Sequence, residues 1–103
     1  MHSARAMVRA AVPELDDAAA EQVLREWEAL LVRRVGTIVG RSILGRVLAQ
    51  RAGGGRTPAP ADLPAVLDGL VGSASVFFSK RESAGFAVAL AESAAAVARG
   101  RAP

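Results

Sequence analysis

The sequence predicts an all-α protein: a compact bundle of about five helices, within a range of four to six, and no β-sheet. Three observations predict it. Leu, Val, Ile and Phe recur at i, i+3, i+4 and i+7 along nearly the whole chain. No run alternates apolar and polar residues with period two over a useful length. Loop-like composition is confined to residues 52–62, where Gly53, Gly54 and Gly55 are followed by Pro58 and Pro60 and neither helix nor central strand can continue.

The first helix is expected over residues 3–12. Ala4, Met7, Val8 and Ala11 form its apolar stripe, Arg5 and Arg9 lie off it, and Pro13 ends it. The arginines also interrupt any apolar core of a targeting segment, so this stretch is read as a simple helix. Glu14, Asp16 and Asp17 then gather where a helix begins, and Asp16 or Asp17 is placed to cap free N–H groups there. The second helix, 16–38, carries Val23, Leu24, Trp27, Leu30, Leu31, Val35 and Ile38 at helical spacing.

A phase change follows. At about 100° per residue, the apolar positions from Leu24 to Ile38 share one face. Ile43, Leu44, Val47 and Leu48 form a second stripe that points nearly the opposite way. One straight helix cannot aim both at one core. Gly36, Gly40 and Gly45 surround the changeover, and glycine is where a helix bends at least cost. The reading is therefore two helices, 16–38 and 41–51, with a tight bend near Gly40. The alternative is one continuous helix serving two surfaces, one of them on a partner chain.

Beyond the 52–62 loop, Asp62 reads as an N-cap with Pro64 in the first turn. Leu63, Val66, Leu67, Leu70, Val71, Ala74, Phe77 and Phe78 make an unbroken stripe, giving a helix over 63–78 that Gly69 and Gly72 weaken modestly. Ser79 and Glu82 have the spacing of a reciprocal capping box. The last helix, 80–99, buries Phe86, Leu90, Ala94 and Val97.

Composition narrows function more than any motif does. At 103 residues the chain fits one domain, 1–103, with one core. Apolar residues make up 51 % of it but aromatics only 4 %, so much of the core is alanine and thin. Thin cores gain from an extra surface to bury, which points to a protein partner and to a homo-oligomer. There is no cysteine and only one histidine, His2, so a Cys/His metal site is excluded and no cofactor is expected. No acidic loop has calcium-binding spacing, and Gly53-Gly54-Gly55-Arg56-Thr57 lacks the spacing of a phosphate loop. The serines have no histidine to activate them, and Glu21, Glu26 and Glu28 are expected on the solvent side of the second helix. No catalytic residue is assigned, and an enzyme is not expected.

No stretch approaches the roughly 18 uncharged apolar residues of a membrane span. The cytoplasm is the expected compartment. The basic residues number 13 against 10 acids, and all but Lys80 are arginine. With abundant Ala, Gly and Val, that bias is a mark of a GC-rich bacterial genome.

The expected function is thus a helical protein–protein interaction domain of adaptor or regulatory type, self-associating and non-catalytic. Its candidate interaction residues are Arg34, Arg41, Arg46 and Arg51, with Gly36 and Gly40 of the small-xxx-small motif Gly36-Thr-Ile-Val-Gly40. Recognition would use an apolar groove or patch edged by arginines, favouring acidic partners. The alternative is a nucleic-acid-binding regulator using the arginines of residues 33–56, which run without an acid between Glu28 and Asp62. Arg33, Arg34, Arg41, Arg46 and Arg51 do not fall on one stripe of a straight helix. A third reading is a peripheral binder of anionic membranes.

Overall fold

A computed structural model describes residues 3–51 and 58–101. Five α-helices follow one another: α1 (Ser3–Ala11), α2 (Asp17–Val35), α3 (Thr37–Arg51), α4 (Leu63–Ala74) and α5 (Lys80–Arg101). There is no strand among the described residues. The radius of gyration is 12.5 Å, close to the roughly 13 Å of a packed 100-residue domain.

Local chemistry explains most of the helix ends. Pro13 sits in a single 3-10 turn, Val12–Glu14, which closes with Leu15 donating its N–H to the Val12 carbonyl. Asp16 is extended and caps α2, its carboxylate accepting from the Ala19 N–H at 2.8 Å. Ser79 and Glu82 form the reciprocal box expected of them: the Glu82 N–H donates to the Ser79 hydroxyl and the Ser79 N–H to the Glu82 carboxylate. Asp62 departs from expectation. It closes a 3-10 turn, Pro60–Asp62, and its carboxylate accepts from the Ala59 N–H behind it, with no side-chain bond into α4. Residues 52–57 of the expected loop, Arg56 among them, lie outside the described residues.

The helices close a ring, with α1 on α5, α5 on α2, α2 on α3, α3 on α4 and α4 back on α1, while α4 also touches α5. The core inside it is wholly apolar among the described residues. Alanines 11, 19, 20, 74, 91, 94 and 98 are buried in it, so backbones approach closely around a few large groups, chiefly Trp27 and Phe86. Trp27 is fully buried, and its indole N–H donates to the Leu90 carbonyl of α5 at 2.8 Å. Glu26 is not the solvent-side residue expected: half-buried between α2 and α5, it accepts from the Ser93 hydroxyl at 2.8 Å and the Gln22 amide at 3.4 Å. Arg5 of α1 pairs with Asp68 of α4.

Two glycines set the spacing of α3. Gly40 is buried, and a Cβ there would stand 3.0 Å from Val32 Cγ2 and 3.2 Å from the Val32 Cα. A Cβ on Gly69 of α4 would fall 2.6 Å from Val47 Cγ1 of α3. Gly69 is therefore no mere weak point of its helix, because it lets α4 lie directly on α3. Val47 is β-branched and buried, so it cannot swing aside. Overpacking at Gly69→Ala is expected to cost about 2–3 kcal/mol, against the roughly 1 kcal/mol that the better helix former adds, for a net loss of about 1–2 kcal/mol. Urea denaturation followed by circular dichroism checks the sign, and a stabilised variant would refute the close crossing.

Candidate interaction surface

The helix-to-helix joint is sharper, and earlier, than the hydrophobic phase suggests. α2 ends at Val35 and α3 starts at Thr37, leaving Gly36 as the entire connection. Gly36 has φ 92° and ψ 166°, a region that is open essentially to glycine alone. Its N–H closes α2 on the Val32 carbonyl at 2.8 Å, and its carbonyl opens α3 by accepting from the Gly40 N–H at 2.9 Å. The bend expected near Gly40 is thus at Gly36, while Gly40 forms the close crossing against α2.

This displacement changes the fate of Ile38. A helix running to residue 38 would carry it into the core on the α2 stripe. With the joint at Gly36, Ile38 belongs to the first turn of α3, whose core-facing residues are Gly40, Ile43, Leu44 and Val47. Ile38 therefore projects outward. A parallel event occurs at the end of α4. The helix tightens after Ala74 into a 3-10 turn, Ser75–Phe77, fastened by the Ser75 hydroxyl donating to the Gly72 carbonyl at 2.6 Å. That change of twist takes Phe77 off the apolar stripe it shares with Leu70 and Ala74, and Val76, which lies off that stripe, is exposed beside it. Phe78 alone turns back, meeting Phe86 edge-on with ring centroids 5.4 Å apart.

The two departures meet. Among the described residues, the exposed large apolar side chains are Ile38 (86 % exposed), Val76 (80 %), Phe77 (53 %), Val88 (39 %) and Val39 (38 %). All but Val88 line one groove of about 490 Å³ between the start of α3 and the end of α4. Ser42, Ile43 and Arg46 continue the α3 side, and Gly72 and Ser73 of α4 continue the other. A Cβ on Gly72 would meet nothing within 4 Å, so the missing side chain leaves the groove open. A second concavity of about 440 Å³ lies between α1 and α5, but small residues such as Ala10, Ala11, Ala95 and Ala98 line much of it.

The four arginines do not converge. Arg46 lines the groove. Arg41 lies on another side of α3 and donates from Nε to Glu28 of α2 at 3.1 Å. Arg34 stands over the Phe78 ring at 5.7 Å from its centroid, a cation–π contact. Arg51 is exposed, with its stem beside Gly69 of α4. Gly36 and Gly40 act within the chain, one as the joint and one against Val32. Ile38, Val39, Val76 and Phe77 make the surface: the first two are the large residues between the glycines of the Gly36-Thr-Ile-Val-Gly40 motif, and the last two belong to no motif. The signal that could have found them is positional: each lies within a few residues of a glycine or a helix end, where periodicity stops being a guide to burial.

No group of three or more His, Cys, Asp or Glu side chains that could hold a metal is present among the described residues, and no described helix is long and apolar enough to cross a membrane. Comparison with protein-family models, with curated proteins and with solved structures gives no match for this chain.

Proposed function

We propose that this protein is a non-catalytic interaction module of adaptor or regulatory type, and that it engages a partner protein through the groove between α3 and α4. The observation that carries the reading is the gathering of Ile38, Val39, Val76 and Phe77 on one concave surface. Scattered apolar side chains on a protein surface are ordinary, but a contiguous patch around a groove is where association removes the most apolar area from water. The groove edge holds serines and an arginine, a polar rim around an apolar centre.

Site-specific photo-crosslinking tests this. A crosslinking side chain placed at Val76 is expected to capture a discrete partner in cells, and the same side chain at Val88, exposed on another helix, is not. The captured protein, purified, should bind wild type with Phe77→Ser weakening it about tenfold or more, as truncation of a central aromatic does. Equal capture at both positions would sink the reading. The nucleic-acid alternative needs several arginines on one face, and the splay of Arg34, Arg41, Arg46 and Arg51 supports it poorly. Tight binding to random duplex DNA with a steep salt dependence would favour it instead.

A further inference from the structure

The charge around the groove specifies its occupant. Its lining residues come from the chain segments 38–46 and 72–77. Together these contain Arg41 and Arg46 and not one Asp or Glu. The acids nearest in the chain are engaged elsewhere. Glu28 is held by Arg41, Asp68 by Arg5 on the α1 side, and Glu82 by the Ser79 N–H at the start of α5. Arg46 remains in the groove itself, lining it together with Val39 and Ile43.

We propose that the groove takes an amphipathic α-helix of a partner protein, with an apolar face flanked by Asp and Glu. This rests on the interaction-module reading and adds to it the class of ligand. Apolar side chains from α3 and from the end of α4, with open space over Gly72 on the α4 side, suit a helix laid lengthwise, anchored at i, i+3 or i+4, and i+7. Carboxylates beside those anchors reach Arg46, where attraction steers encounter and sets register. A second copy of this chain is the poorer occupant. Two grooves brought together would bring two Arg46 cations into one interface, with no acid among the lining residues of either to relieve them. A lipid bilayer supplies anionic charge but is not a ridge that fills a concavity.

The experiment uses two fluorescein-labelled synthetic helices of about four turns, identical in their leucine face and flanked by Glu in one and Lys in the other, read by anisotropy at low salt. The Glu-flanked helix is expected to bind at least about tenfold more tightly than the Lys-flanked one, with the difference shrinking in high salt. Arg46→Glu should reverse the preference. Gly72→Leu should abolish binding of both while leaving the melting temperature unchanged or higher, because its Cβ meets nothing within 4 Å and the rest of its side chain extends into the groove.

Equal affinities for the two helices, unmoved by Arg46→Glu but lost in Gly72→Leu, would overturn the acidic partner and leave the interaction reading standing. Binding that survives Gly72→Leu would overturn the groove as the site, and with failed crosslinking at Val76 would remove both readings. Co-sedimentation with phosphatidylserine vesicles that Phe77→Ser abolishes, with neither helix bound, would assign the surface to a membrane. A dimer in sedimentation equilibrium that Gly72→Leu dissociates would make a second copy the occupant. Either of these last two outcomes overturns the proposal.

Discussion

Trp27→Ala is expected to remove about 3–5 kcal/mol of stability, the cost of deleting a buried aromatic when the cavity cannot close. Trp27 is fully buried and joins α2 to α5, donating its indole N–H to the Leu90 carbonyl. The core it belongs to includes alanines fixed on helix backbones, among them Ala91 and Ala94 of α5. Such residues have no rotamers with which to fill a void, so the loss should fall in the upper half of that range. A domain of this size has only about 5–15 kcal/mol to begin with, and the melting temperature should fall by roughly 15–30 °C. Trp27→Phe keeps most of the volume and loses the hydrogen bond, so it should cost about 1–2 kcal/mol. Urea denaturation followed by far-ultraviolet circular dichroism measures both variants, with the slope compared to exclude a change in the unfolded state. A loss below about 1 kcal/mol for Trp27→Ala would show that α2 and α5 are held together by something other than this side chain.

The interior of the helices is legible in the sequence because it depends on neighbours three and four residues away. Val23, Leu24, Trp27 and Leu31 are buried where the 3.6-residue repeat places them, and the Ser79–Glu82 box follows from spacing alone. What the sequence hides is non-local or depends on where the repeat stops. Gly69 looks like a modest flaw in a helix until Val47, from another element, is found against it. Asp62 has the composition of an N-cap, but the preceding prolines place it at the end of a 3-10 turn that takes its carboxylate first. Ile38 and Phe77 continue their stripes in phase, and only the backbone at Gly36 and after Ala74 takes them out of the core. Two residues of the interaction surface, Ile38 and Phe77, therefore have the sequence signature of core, and periodicity could not have separated them from it.

That origin links the surface to one backbone position. Gly36→Val should cost about 3 kcal/mol, the upper end of the strain incurred when a residue with a Cβ is held in a region reserved for glycine, and Gly36→Ala about 2. Gly36 is the one positive-φ residue among those described, and no neighbour lies within 4 Å of a Cβ built there. The cost is thus conformational and not a clash that repacking could relieve. The chain's escape is to let residue 36 become helical, joining α2 to α3. That returns Ile38 to the α2 face and turns Ile43, Leu44 and Val47 away from the core, which the packing of α3 on α4 opposes. Gly36→Val should accordingly lose helix binding in the groove in step with its loss of stability, whereas Gly72→Leu loses binding with none. A Gly36→Val protein whose urea midpoint and groove binding both match wild type would mean that the turn between α2 and α3 is made elsewhere, and that the exposure of Ile38 has another cause.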